Sequence, residues 1–156
     1  MKPLVREAGM ADLPAVTRLL AWMDSSAGDA QAVPQMSITR AERIFCEMAR
    51  YPNYRCYLLM NGDEPVGTFT LLIFDALVHG GAREALIDGV VVAPVRRGQG
   101  YGRLMLKEAM RIARESGCYK LALSSNQKRV DAHRFYESLG FERHGVSFAI
   151  DPAQRV

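Results

Sequence analysis

An apolar run, Leu86-Ile87-Asp88-Gly89-Val90-Val91-Val92, breaks at Ala93-Pro94 and passes through Val95-Arg96-Arg97-Gly98-Gln99-Gly100-Tyr101-Gly102-Arg103 into a helical pattern. No other stretch constrains the fold as much. A strand this apolar needs burial, and a helix that follows it at once must pack back against the same sheet. Alternate glycines let the turn adopt positive φ and let its backbone approach a ligand closely. The first turn of the helix then offers unpaired N–H groups and the positive end of its dipole, a seat for an anion. Arg96, Arg97 and Arg103 add charge, and a diphosphate suits the site in size and sign. A tight strand–helix turn with no ligand is the alternative. Two familiar phosphate loops are excluded by residue. Arg103 stands where G-x-G-x-x-G needs its third glycine, and no Gly-Lys-Ser/Thr triplet follows for a Walker loop.

Around this passage the chain reads as a mixed α/β domain. Lys2–Glu7 has strand character. Asp12 precedes a helical stripe, Leu13, Val16, Leu19, Leu20 and Met23, and Asp24–Gln35 reads as a loop. Thr39-x-x-Glu42 has the form of a capping box for a helix to about Arg50. Strands Arg55–Met60 and Val66–Leu77 flank Asn61-Gly62, a hairpin signal, and His79-Gly80-Gly81 marks a turn before strand Ala85–Val92. A helix from Gly100 to Ser116 is stopped by Gly117, Leu121–Ser125 is a short strand, and Asp131 caps a helix to Leu139 ended by Gly140-Phe141. Alternation over Val146–Ile150 predicts a last strand. A chain of 156 residues with no repeat or linker implies one domain, residues 1–156.

Composition narrows the function classes. The chain is 49% hydrophobic and 24% charged, close to the soluble globular average. Charged residues in the first seven positions leave no room for the apolar core of a signal peptide, and no apolar run is membrane-length, so the expectation is a cytoplasmic protein with no membrane partner. Cys46, Cys56 and Cys118 lack C-x-x-C spacing and lie in apolar segments, as reduced core thiols do. His79, His133 and His144 are too scattered for a metal site, and no metal is expected. Residues 94–144 hold 11 Lys+Arg against 5 Asp+Glu. Those cations gather around one anion-sized loop rather than alternating with exposed aromatics, which argues against nucleic acid.

At these residues the sequence resembles the GNAT superfamily of N-acetyltransferases. Its Arg/Gln-x-x-Gly-x-Gly/Ala signature is matched by Arg97-Gly98-Gln99-Gly100-Tyr101-Gly102, after a V-x-P-like turn, Val92-Ala93-Pro94. A second landmark, A-x-x-F/L-Y-x-x-x-G-F, stands as Ala132-His133-Arg134-Phe135-Tyr136-Glu137-Ser138-Leu139-Gly140-Phe141. The element order also agrees, so the resemblance covers nearly the whole chain. It implies an α/β fold with a mixed, mostly antiparallel sheet of six to seven strands, flanked by about four helices and splayed between strands 4 and 5, where acetyl-coenzyme A lies.

Carried over residue by residue, the resemblance puts the main chain of Val90, Val91 and Val92 against the pantetheine arm and the diphosphate on the N–H groups of Arg97, Gly98, Gln99, Gly100, Tyr101, Gly102 and Arg103. Tyr101 departs from the family's usual aliphatic residue and has packing as its alternative. Asn126 falls where the family often contacts pantetheine, but Arg129 replaces the asparagine more common three residues before the motif's alanine. Arg134, with Lys128 and Arg129, is positioned for the 3′-phosphate or for solvent. The reaction implied is direct attack of a neutral primary amine on the thioester through a tetrahedral intermediate, with a backbone N–H near Val91 at the oxyanion and Tyr136 protonating the departing thiolate. Asp88 lies on an otherwise apolar strand face, alternating with Leu86, Val90 and Val92, where a shielded carboxylate would take a proton through water; a structural ion pair is its alternative.

Acceptor choice is expected to fall to Trp22–Ser37, with Asp24 and Asp29, to Phe74 and Asp75, and to the region after Phe141. The expected partners are acetyl-coenzyme A and a small-molecule amine. A non-catalytic acyl-coenzyme A sensor and a protein N-terminal or lysine acetyltransferase stand as alternatives. Homodimerisation is common in the superfamily, without any feature of this sequence establishing it.

Overall fold

The computed structural model describes residues 2–23 and 34–153. The chain divides into two compact units, Met1–Leu123 and Ser124–Val156, which are considered in turn.

The first unit is built on one five-stranded sheet in the order β1-β2-β3-β4-β5: β1 (Leu4–Glu7), β2 (Tyr54–Asn61), β3 (Glu64–Asp75), β4 (Arg83–Val92) and β5 (Lys120–Ala122). The first four strands are antiparallel neighbours and β5 runs parallel to β4. Helices α1 (Leu13–Leu20) and α2 (Ile38–Ala49) connect β1 to β2, a single turn α3 (Val78–Gly81) joins β3 to β4, and α4 (Tyr101–Glu115) links β4 to β5.

Sheet alternation sorts the packing. On one face Phe69 stacks on Tyr57 with ring centroids 4.9 Å apart, and Met105 of α4 lies where a side chain at Gly67 would stand. Phe69, Leu71, Met105 and Leu106 are fully buried there, each contributing about 1.5–3 kcal/mol of transfer free energy. On the other face Val16 and Leu19 of α1 and Phe45 and Met48 of α2 pack around Cys56 and Leu58. Burial pushes the Cys56 thiol pKa up. Cys46, by contrast, is exposed, because it lies off the apolar stripe of α2, and all three cysteines are free.

Local chemistry differs from expectation at both helix starts. Asp12 precedes α1 but makes no cap bond to it; its carboxylate accepts two hydrogen bonds from Arg6, both 2.7 Å, and one from the Gly9 N–H at 2.8 Å. The Arg6 guanidinium holds the Asp12 carboxyl down at about 2. Helix α2 is capped by Ser37, whose Oγ accepts from the Arg40 N–H at 3.3 Å, and not by a box beginning at Thr39. The hydroxyl two residues earlier meets the orphan amide first.

The second unit holds α5 (Val130–Glu137). Arg129, rather than Asp131, occupies its N-cap position. Its end has the expected form: the Phe141 N–H donates to Tyr136 O at 3.2 Å, the Gly140 N–H to Glu137 O at 3.0 Å, and Gly140 has φ +91°. The strand expected over Val146–Ile150 is absent. That segment forms no ladder, and Val146, Phe148 and Ile150 are 80%, 93% and 66% exposed. The sheet therefore has five strands among the described residues instead of six or seven. Alternation supplies an apolar face, but a strand also needs a backbone partner. Among the described residues, no helix is long and apolar enough to cross a membrane.

Candidate active site

The site begins with the way β4 leaves the sheet. Among the described residues it pairs with β5 at Glu84–Lys120, Ala85–Leu121 and Leu86–Ala122, and Ile87 to Val92 run on without a strand partner on that side. A buried ion pair pins the junction. Glu84, only 7% exposed, receives Lys120 Nζ at 3.1 Å, and the Tyr119 hydroxyl donates to its other oxygen at 3.4 Å. These contacts with Tyr119 and Glu84 push the Lys120 pKa up. Nothing in the sequence announces this pair, because only the parallel register brings the two residues opposite one another.

Just past the junction β4 bulges. Thr70 faces Asp88 and Thr68 faces Val91, which leaves Phe69 opposite both Gly89 and Val90. Gly89 has φ +59°, a conformation open to glycine and strained for other residues. The bulge re-phases the strand. Asp88 shares its face with Leu86 and Val91 and no longer with Val90 and Val92. Val91 is buried and Val90 and Val92 are half-buried.

Asp88 itself is exposed, and its Oδ1 accepts the Gly89 N–H at 2.7 Å. Among the described residues it is therefore not shielded as its expected role as a base required; its face still carries Leu86, with Val91 in place of Val90 and Val92. Gly89 is the site residue that sequence reasoning passed over; a glycine inside an apolar strand is the signal for such a bulge.

After β4 the chain turns through Pro94–Arg96, and the arginines sort into different tasks. Arg96 pairs with Glu64 at the start of β3 through Nη2–Oε2 at 2.5 Å and Nε–Oε1 at 3.2 Å. Arg97 reaches inward: its Nε donates to Val92 O at 3.3 Å and its Nη2 to Trp22 O at 3.4 Å, tying the end of β4 to the end of α1. Its own N–H is spent on Pro94 O at 3.2 Å, so the amide donors for an anion begin at Gly98. The Gln99 side chain closes the turn by donating to Val95 O at 3.2 Å.

Gly98 and Gly100 have φ +74° and +83°, and a Cβ at either would meet nothing within 4 Å. The turn needs glycine for its conformation, and open space lies over it. Tyr101 is 8% exposed and packs into the core; Gly102 and Arg103 follow in the first turn of a 15-residue helix, at the positive end of its dipole. Farther along α4, Arg111 pairs with both Glu108 and Glu115.

In the second unit, the Asn126 side chain accepts the Lys128 N–H at 2.9 Å and its carbonyl accepts the Arg129 N–H at 3.0 Å, shaping the turn into α5. Arg134 is exposed. Tyr136 is half-buried, with ring centroids of Phe135 at 5.5 Å and Phe141 at 6.0 Å. Asp24 and Asp29 lie outside the described residues. Among the described residues, no group of His, Cys, Asp or Glu is arranged to hold a metal ion.

The acetyltransferase (GNAT) family model matches residues 18–141. The chain is 37% identical over 86 residues to a glucosamine 6-phosphate N-acetyltransferase of Trypanosoma brucei brucei, a match covering 55% of this chain and 56% of that protein. It is 36% identical over 97 residues to an aminoalkylphosphonate N-acetyltransferase of Salmonella typhimurium, covering 62% of each. A solved putative acetyltransferase from Agrobacterium tumefaciens superposes with a TM-score of 0.84 and 32% identity, covering 95% of this chain and 99% of that one. A strand freed from its neighbour, bulged at a glycine and opening through a glycine turn onto a helix N-terminus thus coincides with a family match over most of the sequence, and the chain belongs to the GNAT family of acetyltransferases.

Proposed function

We propose that this protein is an acetyl-coenzyme A-dependent N-acetyltransferase of a small-molecule primary amine, working as one domain. The observation that carries the reading is the open space over Gly98 and Gly100, with the first-turn amides of α4 beside it at the end of the unpaired stretch of β4. A diphosphate fits there in size and sign. The unpaired N–H and C=O groups of β4 suit the amide-bearing pantetheine arm, which can dock as an added strand. The bulge leaves Gly89 and Val90 without register partners on β3, which supports a backbone N–H near this point at the thioester oxygen. The relatives named for glucosamine 6-phosphate and for aminoalkylphosphonate support a small primary amine as acceptor.

The amine nitrogen attacks the thioester carbonyl as the neutral base. The incoming ammonium has by then lost one proton to solvent through water; the C–N bond forms, the C–S bond breaks, the nitrogen gives its remaining surplus proton to water, and the thiolate takes a proton from the Tyr136 phenol, which is recharged from solvent. Asp88 keeps Oδ2 available for the incoming ammonium, since Oδ1 is held by Gly89.

Calorimetry with coenzyme A and a thiol-release assay test the reading together. Coenzyme A is expected to bind, and Tyr136→Phe to lower kcat by about 100-fold or more while binding persists. Absence of coenzyme A binding to folded protein refutes the reading, and unchanged turnover in Tyr136→Phe refutes the role of the tyrosine.

A further inference from the structure

On the α1/α2 side of the sheet, Thr70, Leu72 and Phe74 of β3 stand opposite Asp88, Leu86 and Glu84 of β4, so these six share one face. Helices α1 and α2 cover only part of it. Leu20, at the end of α1, sits 3.4 Å from where a Gly89 side chain would begin, whereas Leu86, in the fourth of five strands, is still 40% exposed. Beyond Leu72 this strip, uncovered among the described residues, opens into a cleft of about 320 Å³ lined by Tyr51, Pro52, Asn53, Phe74 and the Asp75–Arg83 pair. Tyr51 is held edge-on to Tyr54, with centroids 6.2 Å apart, and Tyr54 is the register partner of Leu72.

The charges are unevenly placed along the strip. At one end stands the exposed carboxylate of Asp88. At the other, every cation is already satisfied: Arg83 grips Asp75 through Nε–Oδ1 at 2.8 Å and Nη2–Oδ2 at 3.1 Å, and Lys120 is bound to Glu84. Among the described residues, the cleft offers no unpaired cation to a phosphate and a wall of aromatic and aliphatic carbon to anything apolar.

We infer that this strip is the acceptor site and that it selects a primary amine with an elongated apolar or aromatic body. Its ammonium meets Asp88, and its body runs along Leu86 and Leu72 into the cleft at Tyr51 and Phe74. The inference rests on the acetyltransferase reading and narrows its substrate class. Asp88 and Glu84 lie four residue steps apart along β4, which at strand rise sets the length of the ligand at about 14 Å. The preferred acceptor is therefore unlike the compact phosphorylated amines named for the relatives.

The test is calorimetric and needs no turnover. Phenylalkylamines with two to eight methylenes are titrated into the full chain in the presence of coenzyme A, alongside glucosamine 6-phosphate and aminoethylphosphonate. Affinity is expected to rise about three- to fourfold per methylene and to level off near 14 Å. Phe74→Ala and, separately, Leu86→Asn are each expected to cost the long amines about tenfold and the shortest little, with coenzyme A affinity unchanged. Asp88→Asn is expected to weaken all the amines alike. Affinity independent of length, tighter binding of either phosphorylated amine, or long-amine binding untouched in both folded variants overturns the inference. Long amines that bind as expected but release no thiol with acetyl-coenzyme A would overturn the enzyme reading and leave the strip as a binding site.

Discussion

Replacing Gly89 tests whether the β4 bulge is a fixed element of the fold. At φ +59° an L residue occupies the left-handed region, at a cost of about 1–2 kcal/mol. A Cβ there would lie 3.4 Å from Leu20 Cδ2 and 3.9 Å from Thr70 Oγ1, which is contact without collision. For Gly89→Ala the penalty is therefore conformational. The stiffer unfolded chain of alanine offsets about 0.4–1 kcal/mol of it, leaving a net loss of about 1 kcal/mol. Gly89→Val adds two methyl groups toward Leu20, and overpacking raises the loss to about 3 kcal/mol. Asparagine tolerates the left-handed region, so Gly89→Asn should cost the least of the three. With a urea slope of about 2 kcal/mol/M, the midpoint should fall by about 0.5 M for alanine and about 1.5 M for valine. Urea unfolding followed by circular dichroism measures the series. A valine variant as stable as wild type, or asparagine worse than alanine, would refute the reasoning, because the strand would then have relaxed out of the bulge at no cost.

Gly100→Ala puts a Cβ into open space at φ +83°, so only the turn conformation is taxed, by about 1–2 kcal/mol; coenzyme A affinity should fall about tenfold by calorimetry as the turn distorts. Asp12 gives a pH signature. Its folded pKa of about 2 lies below its ordinary 3.8, so its contribution is present above about pH 4 and is lost as the pH falls toward 2. The full shift corresponds to about 2.4 kcal/mol; with the partly exposed Arg6 partner screened by solvent, about 1 kcal/mol is expected. Arg6→Gln should therefore flatten the acid limb of the stability profile between pH 4 and pH 2, and an unchanged limb would assign that stability elsewhere.

What could be read in the sequence was local. Gly98-Gln99-Gly100 before a helical stripe and Gly140-Phe141 after α5 each encode conformation within a few residues and stand in the structure as read, while the hairpin signalled at Asn61-Gly62 turns one residue later, at Gly62-Asp63, with Asn61 paired to Glu64. The capping hydroxyl of α2 lay within two residues of its expected position because neighbouring hydroxyls compete for the same amide. The arginines were harder. Charge composition placed Arg96 and Arg97 beside the turn, but their partners, Glu64 on one and the carbonyls of Val92 and Trp22 on the other, come from distant segments.

The sequence by itself determined the turn, most of the helices and the resemblance to the acetyltransferase family, since backbone freedom, periodicity and short motifs are properties of contiguous residues. Tertiary structure decided which side of β4 carries Asp88, where β5 leaves β4, and why Val146–Ile150 forms no strand. Strand register and backbone pairing are free energies shared between segments far apart in the chain, and one inserted residue at Gly89 turns every following side chain to the opposite face.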